Sequence, residues 1–79
     1  MKDYYLRKLL GLLDKVAEDG TDAAYDTAEA LRERVWEDTG TWCGITRFQN
    51  CAIQGIIDGI LYDGSNPDSI ETALNYIFS

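Results

Sequence analysis

Seventy-nine residues, 46% of them apolar and 27% charged, with a single proline, describe one small folded domain with one core and exclude the polar, proline-rich bias of a disordered tail. Fourteen acids against seven bases give a formal charge of −7, which repels phosphate backbones and anionic lipid heads and weighs against direct nucleic-acid or membrane-surface binding. The lack of histidine removes the commonest general base and the commonest metal ligand together.

The first predicted element runs from about Asp3 to Glu18, where Leu6, Leu9, Leu10, Leu13, Val16 and Ala17 recur at the three- and four-residue spacing of one helical face. Asp3 is its expected N-cap and Gly20 its stop. The Leu6 to Leu13 run is broken by Arg7, Lys8 and Gly11, so it reads as neither an export signal nor a membrane span. Thr21 or Asp22 caps a second helix that reaches Glu37 or Asp38. Its buried stripe is Ala24, Ala28, Leu31 and Val35, with Tyr25, Arg32 and Trp36 as a shoulder, and Thr39-Gly40 ends it.

A third helix begins after Thr46 and carries Phe48, Ala52, Ile53, Ile56, Ile57, Ile60 and Leu61. It is the most apolar segment, which predicts a central position. Gly55 and Gly59 each cost about 1 kcal/mol relative to alanine in a helix. With Cys51 and Ala52 they form a ridge of small side chains, expected to mark a close helix crossing inside the bundle, with a self-association face as the other use. Asn66 caps a fourth helix with Pro67 at its first position; Ile70, Ala73, Leu74 and Ile77 supply its buried face and Phe78 closes the end. No stretch alternates apolar and polar residues for long. The expected fold is therefore all-α, a single small domain of three to four helices with short connections over residues 1–79. Its core should hold Leu9, Leu13, Leu31, Val35, Ile53, Ile56, Ile60, Leu74 and Ile77.

Catalytic and metal chemistry lack parts. Cys43 and Cys51 cannot furnish a four-ligand zinc site without histidine. On one helix their separation would be roughly 12 Å, beyond the ~7 Å limit for a disulfide, and a bond would need Cys43 to sit in the preceding loop; two free thiols in a reducing cytoplasm are the expectation. Ser65, Ser69 and Ser79 have no histidine base. The stretch from Asp63 to Glu71 imitates a calcium loop out of register: Asp68 stands where the glycine belongs and Leu74 where the bidentate glutamate belongs. No catalytic residue, cofactor or metal is expected. A helix-turn-helix reading of the second and third segments leaves Arg47 as the only base of the recognition helix.

The informative pattern is acidic. Asp22, Asp26, Glu29, Glu33 and Glu37 are spaced 4, 3, 4 and 4, which places all five within an arc of roughly 80° opposite the apolar stripe of the same helix. Like charges four apart cost about 0.2–0.5 kcal/mol per pair, and a purely solubilising face more usually mixes signs; the other reading is a solubilising face, since Arg32 and Arg34 flank the row and its first acids suit the helix dipole. A rigid row of acids can stand in for a phosphate backbone on a partner's lysine and arginine groove. Trp36, Trp42 and Phe48 bracket the Gly40 loop, and large aromatics beside loops serve as interface anchors or as core.

In size and charge the chain is similar to the small acidic inhibitors that phages and mobile elements direct against nucleic-acid-binding defence machinery, among them anti-CRISPR and DNA-mimic proteins. That similarity carries no individual residue across. The expected function is a cytoplasmic, non-catalytic module that docks Asp22, Asp26, Glu29, Glu33, Glu37, Trp42 and Phe48 on a protein partner with a basic surface. The alternative is an assembly domain acting through an apolar, homodimeric helix face.

Overall fold

Residues 1–79 form four helices in the computed structural model: α1 (Lys2–Asp19), α2 (Thr21–Asp38), α3 (Arg47–Tyr62) and α4 (Pro67–Ile77). Their ends follow local capping chemistry where the sequence supplies it. The Thr46 hydroxyl accepts from the Gln49 N–H at 3.1 Å while Gln49 Oε1 accepts from the Thr46 N–H at 2.8 Å, so two otherwise orphaned donors are satisfied at the start of α3. Asn66 and Ser69 make the same reciprocal pair at α4, with Pro67 at the first helical position. The first two helices begin differently from expectation. Met1 takes the cap position of α1 without a side-chain bond, and Asp3 lies inside the first turn, where its charge still favours the helix dipole. Gly20 alone joins α1 to α2 and serves as the end of one and the cap of the next. Its φ of 89° suits a residue without Cβ, and Thr21 and Asp22 are thereby drawn into the first turn of α2.

Hydrogen bonds between helices set the topology. Tyr5 OH donates to Asp38 Oδ2 at 2.6 Å, Thr21 Oγ1 to the Leu61 carbonyl at 3.3 Å, Lys2 Nζ to Asn75 Oδ1 at 3.0 Å and Gln49 Nε2 to the Ile77 carbonyl at 3.4 Å. The chain therefore runs up, down, up and down, and the N-termini of α1 and α3 meet the C-termini of α2 and α4 at one end of the bundle. α1 and α3 form the diagonal that packs on every other helix, whereas α2 and α4 do not touch. The central place expected of α3 is thus shared with α1, because Tyr5, Leu9 and Leu12 all lie fully buried on α1.

Seven of the nine expected core residues are buried: Leu9, Leu31, Val35, Ile53, Ile60, Leu74 and Ile77. Leu13 and Ile56 are only half-buried at the rim. Each is displaced by its chain neighbour, Leu12 and Ile57, which takes the inner line one helical step of about 100° away. Ala24 and Ala28 have no exposed surface, so α2 approaches the core closely through small side chains. No helix is long and apolar enough to cross a membrane.

The ridge on α3 is not an internal crossing at Gly55. That residue is exposed, and a Cβ built on it would meet nothing within 4 Å. The close approach is at Gly59, where a Cβ would lie 2.7 Å from Ser65 Oγ, and where the Ser65 N–H donates to the Gly59 carbonyl at 3.2 Å. Its neighbour is the α3–α4 loop and not another helix. Small residues permit a close contact; they do not supply one. Replacing Gly55 by alanine is therefore expected to raise the unfolding free energy by about 1 kcal/mol through helix propensity alone, read as a higher urea midpoint. A lowered midpoint would show that a neighbour does press on this position.

A candidate protein-docking surface

Burial of Ala24, Ala28, Leu31 and Val35 turns the acidic side of α2 outward. Asp22, Asp26, Glu33 and Glu37 are exposed and make no ion pair. From first to last they span about 22 Å of rigid helix at 1.5 Å per residue. Glu29 differs. It is half-buried and accepts from Arg32 Nε at 3.1 Å, while Arg32 Nη1 donates to Gln54 Oε1 at 2.8 Å and Arg32 Nη2 reaches Asp58. Gln54 Nε2 returns a bond to the Arg32 carbonyl at 3.3 Å. Arg32 is thus a staple between α2 and α3, and Glu29 belongs to the staple. The free row has four carboxylates where the spacing gave five.

The row ends at a loop built to hold an aromatic side chain away from the bundle. The Gly40 N–H donates to the Ile45 carbonyl at 2.9 Å and the Ile45 N–H to the Asp38 carbonyl at 3.0 Å, which pinches the chain shut over the buried Ile45. Gly44 makes the pinch sterically feasible: a Cβ there would run into the Asp38 carbonyl and the Thr41 hydroxyl. The intervening residues are pushed outward, and Trp42 is 100% exposed. Trp36 and Phe48 are each 61% exposed, so the aromatics that bracket the loop serve as surface and not as core. Tyr76, near the end of α4, is a further exposed ring at 75%. Sequence reading passed over Tyr76. Its signal was that it falls off the Ile70, Ala73, Leu74 and Ile77 stripe of its own helix.

Beneath this surface the loop is anchored by polar contacts. Asn50 Nδ2 donates to Thr39 Oγ1 at 2.9 Å, and Thr39 Oγ1 donates in turn to the Val35 carbonyl at 2.7 Å. Asn50 is buried, and its Oδ1 has no hydrogen-bond partner. Asp38 accepts from Tyr5 OH and also from Arg34 Nε at 3.4 Å. Burial pushes the Tyr5 phenol well above its ordinary value, and the hydrogen bond to Asp38 and the negative charge of that carboxylate push it further. The bond to Asp38 likewise raises Arg34.

Cys43 lies in the loop and Cys51 on α3; both are exposed free thiols. No three cysteine, aspartate or glutamate side chains converge on a point that could hold a metal ion. What the surface offers is a fixed row of negative charge that ends on solvent-facing rings. Compared with family models, with curated proteins and with solved structures, the chain has no match in any of the three.

Proposed function

We propose that the chain is a non-catalytic binding module that inhibits or regulates a basic, nucleic-acid-binding protein by laying the carboxylate row of α2 in the groove that otherwise holds a phosphate backbone. The observation that carries this reading is the state of Asp22, Asp26, Glu33 and Glu37, four exposed acids on one helix face without a cationic partner. Keeping such neighbours together works against the helix, and docking on lysine and arginine reverses the sign of that cost. Trp42, Trp36 and Phe48 supply the apolar anchor at the end of the row, since exposed aromatics are enriched among the residues that dominate binding energy. Acting in the cytoplasm as anti-CRISPR or DNA-mimic proteins of phages do would suit this surface. Affinity capture from the source cell at low salt, followed by elution, tests the reading. The captured partner should be released by raised salt and by short duplex DNA, because exposed charges are screened beyond about 8 Å at physiological ionic strength. A partner that resists both eluents would contradict it.

A second reading, self-assembly through α3, is favoured by one observation. Phe48, Cys51, Gly55 and Tyr62 are all exposed on the outer side of the most apolar helix. Sizing at high salt separates the two readings, because apolar association survives screening. A dimer that is abolished by Gly55→Leu without loss of helicity would favour assembly, and a monomer at all concentrations would end it.

A further inference from the structure

The bases of this acidic chain are unevenly placed. Arg7, Lys8 and Lys15 of α1 and Arg34 of α2, four of the seven, line one groove between these two helices. The groove exists because the facing positions are small. Gly11, Thr27 and Ala30 leave α1 and α2 unfilled along this edge, and a Cβ on Gly11 would meet nothing within 4 Å. Its main lobe is about 630 Å³, within the range of about 300–1,000 Å³ that small-molecule sites occupy. Tyr4 stands between the two lobes, with Lys8 Nζ 5.7 Å and Arg34 Cζ 5.6 Å from its ring centroid. The ring therefore holds two cations near each other by cation–π attraction. Lys15 is paired with Asp19 at 2.9 Å and Arg34 with Asp38 at 3.4 Å. Arg7 and Lys8 have no carboxylate partner although the chain holds fourteen acids.

We infer that the α1–α2 groove binds a small organic phosphate, with its ring body on the floor formed by Gly11, Thr27 and the Tyr4 ring and its phosphoryl group between Arg7 and Lys8. Arginine and lysine together match phosphate, the one through a planar fork of donors and the other as a point charge. The net charge of −7 selects for a small ligand, because long-range repulsion grows with the charge of the incoming anion and weighs most against nucleic acid or an anionic membrane. The apolar floor selects against a bare inorganic ion. This site lies on the edge of α2 beside the carboxylate row, about 100° round the helix from it, and uses none of the residues of the docking proposed above.

The test follows backbone amides by NMR during titration with ADP and with glucose 6-phosphate, and with adenosine, glucose and inorganic phosphate as the separate halves. At least one of the two phosphates should shift the Gly11 and Thr27 amides saturably, and its halves should bind about tenfold more weakly or worse, as loss of charged hydrogen bonds implies. Arg7→Glu combined with Lys8→Glu should weaken that binding by about tenfold or more at unchanged melting temperature. Gly11→Leu fills the groove without altering charge and, entering open space, should fold normally and abolish binding. No saturable shift with either phosphate would overturn the inference, as would equal binding of inorganic phosphate or binding that survives Gly11→Leu. Tighter binding of short duplex DNA, an acidic peptide or anionic vesicles at the same amides would overturn the small-molecule assignment.

Discussion

Replacing Ile57 by alanine is expected to lower the unfolding free energy by about 2–5 kcal/mol, the range for deleting a large aliphatic side chain from a core. Ile57 has no exposed surface and lies on the helix that packs against all three others, so the cavity left behind has little means of collapsing. A domain of this size holds only about 5–15 kcal/mol in all, and the urea midpoint should fall visibly. Ile56→Ala is the internal comparison. That side chain sits half-buried beside Ala52, Ser69 and Ala73 in an open furrow between α3 and α4, and its loss should cost clearly less. Equal losses at the two positions would mean that α3 is rotated about its axis relative to the arrangement described.

Tyr5 gives the second large effect. Its ring is fully buried, stacked on Phe78 at 6.2 Å and edge-on to Tyr4 at 5.2 Å, and its hydroxyl donates to Asp38 at 2.6 Å. Tyr5→Phe keeps the packing and removes the donor, leaving a partly buried carboxylate with Arg34 as its remaining ion-pair partner; the expected cost at neutral pH is about 1–3 kcal/mol. The pH dependence has a definite sign. The folded-state value of Tyr5 is raised, so its contribution is complete below the unfolded value of about 10 and is lost as pH rises through the folded value, at up to about 1.4 kcal/mol per pH unit. Wild type should therefore lose, above pH about 10, a component of stability that Tyr5→Phe never had. Urea titrations of both proteins from neutral to alkaline pH measure this directly. Curves that stay parallel would show that the phenol is not held protonated by Asp38.

Much of the fold is legible in the residues because its determinants are local. Thr46 with Gln49 and Asn66 with Pro67 mark helix starts through contacts within one turn. The single-residue joint at Gly20 hides the cap of α2, because two helices share it. Which of two adjacent apolar residues faces inward is decided by neighbouring helices, and so Leu12 and Ile57 displace Leu13 and Ile56. The acidic face of α2 follows from periodicity within one helix, whereas the withdrawal of Glu29 depends on Gln54 and Asp58 of another helix drawing Arg32 across. Tyr76 and the α1–α2 groove were hidden for the same reason. Only the antiparallel order brings the end of α4 to Gln49 at the start of α3, or carries Arg34 to Tyr4 and Lys8.

Glu33 and Glu37 are the carboxylates to reverse, because Glu29 is engaged with Arg32 and its reversal would disturb the α2–α3 staple. Lysine at both positions should leave helicity and melting temperature near those of wild type, since both side chains are exposed and unpaired. The decisive measurement is the affinity of this variant for the captured partner, beside Asp68→Lys with Glu71→Lys, a control that changes the net charge equally on α4, which does not touch α2, and beside Trp42→Ala. Reversing Glu33 and Glu37 should weaken binding by about tenfold or more, chiefly through the association rate and with a flattened salt dependence, while the control changes little. Binding that survives this reversal and is abolished by Trp42→Ala would contradict docking through the carboxylate row and assign the contact to the aromatic loop alone.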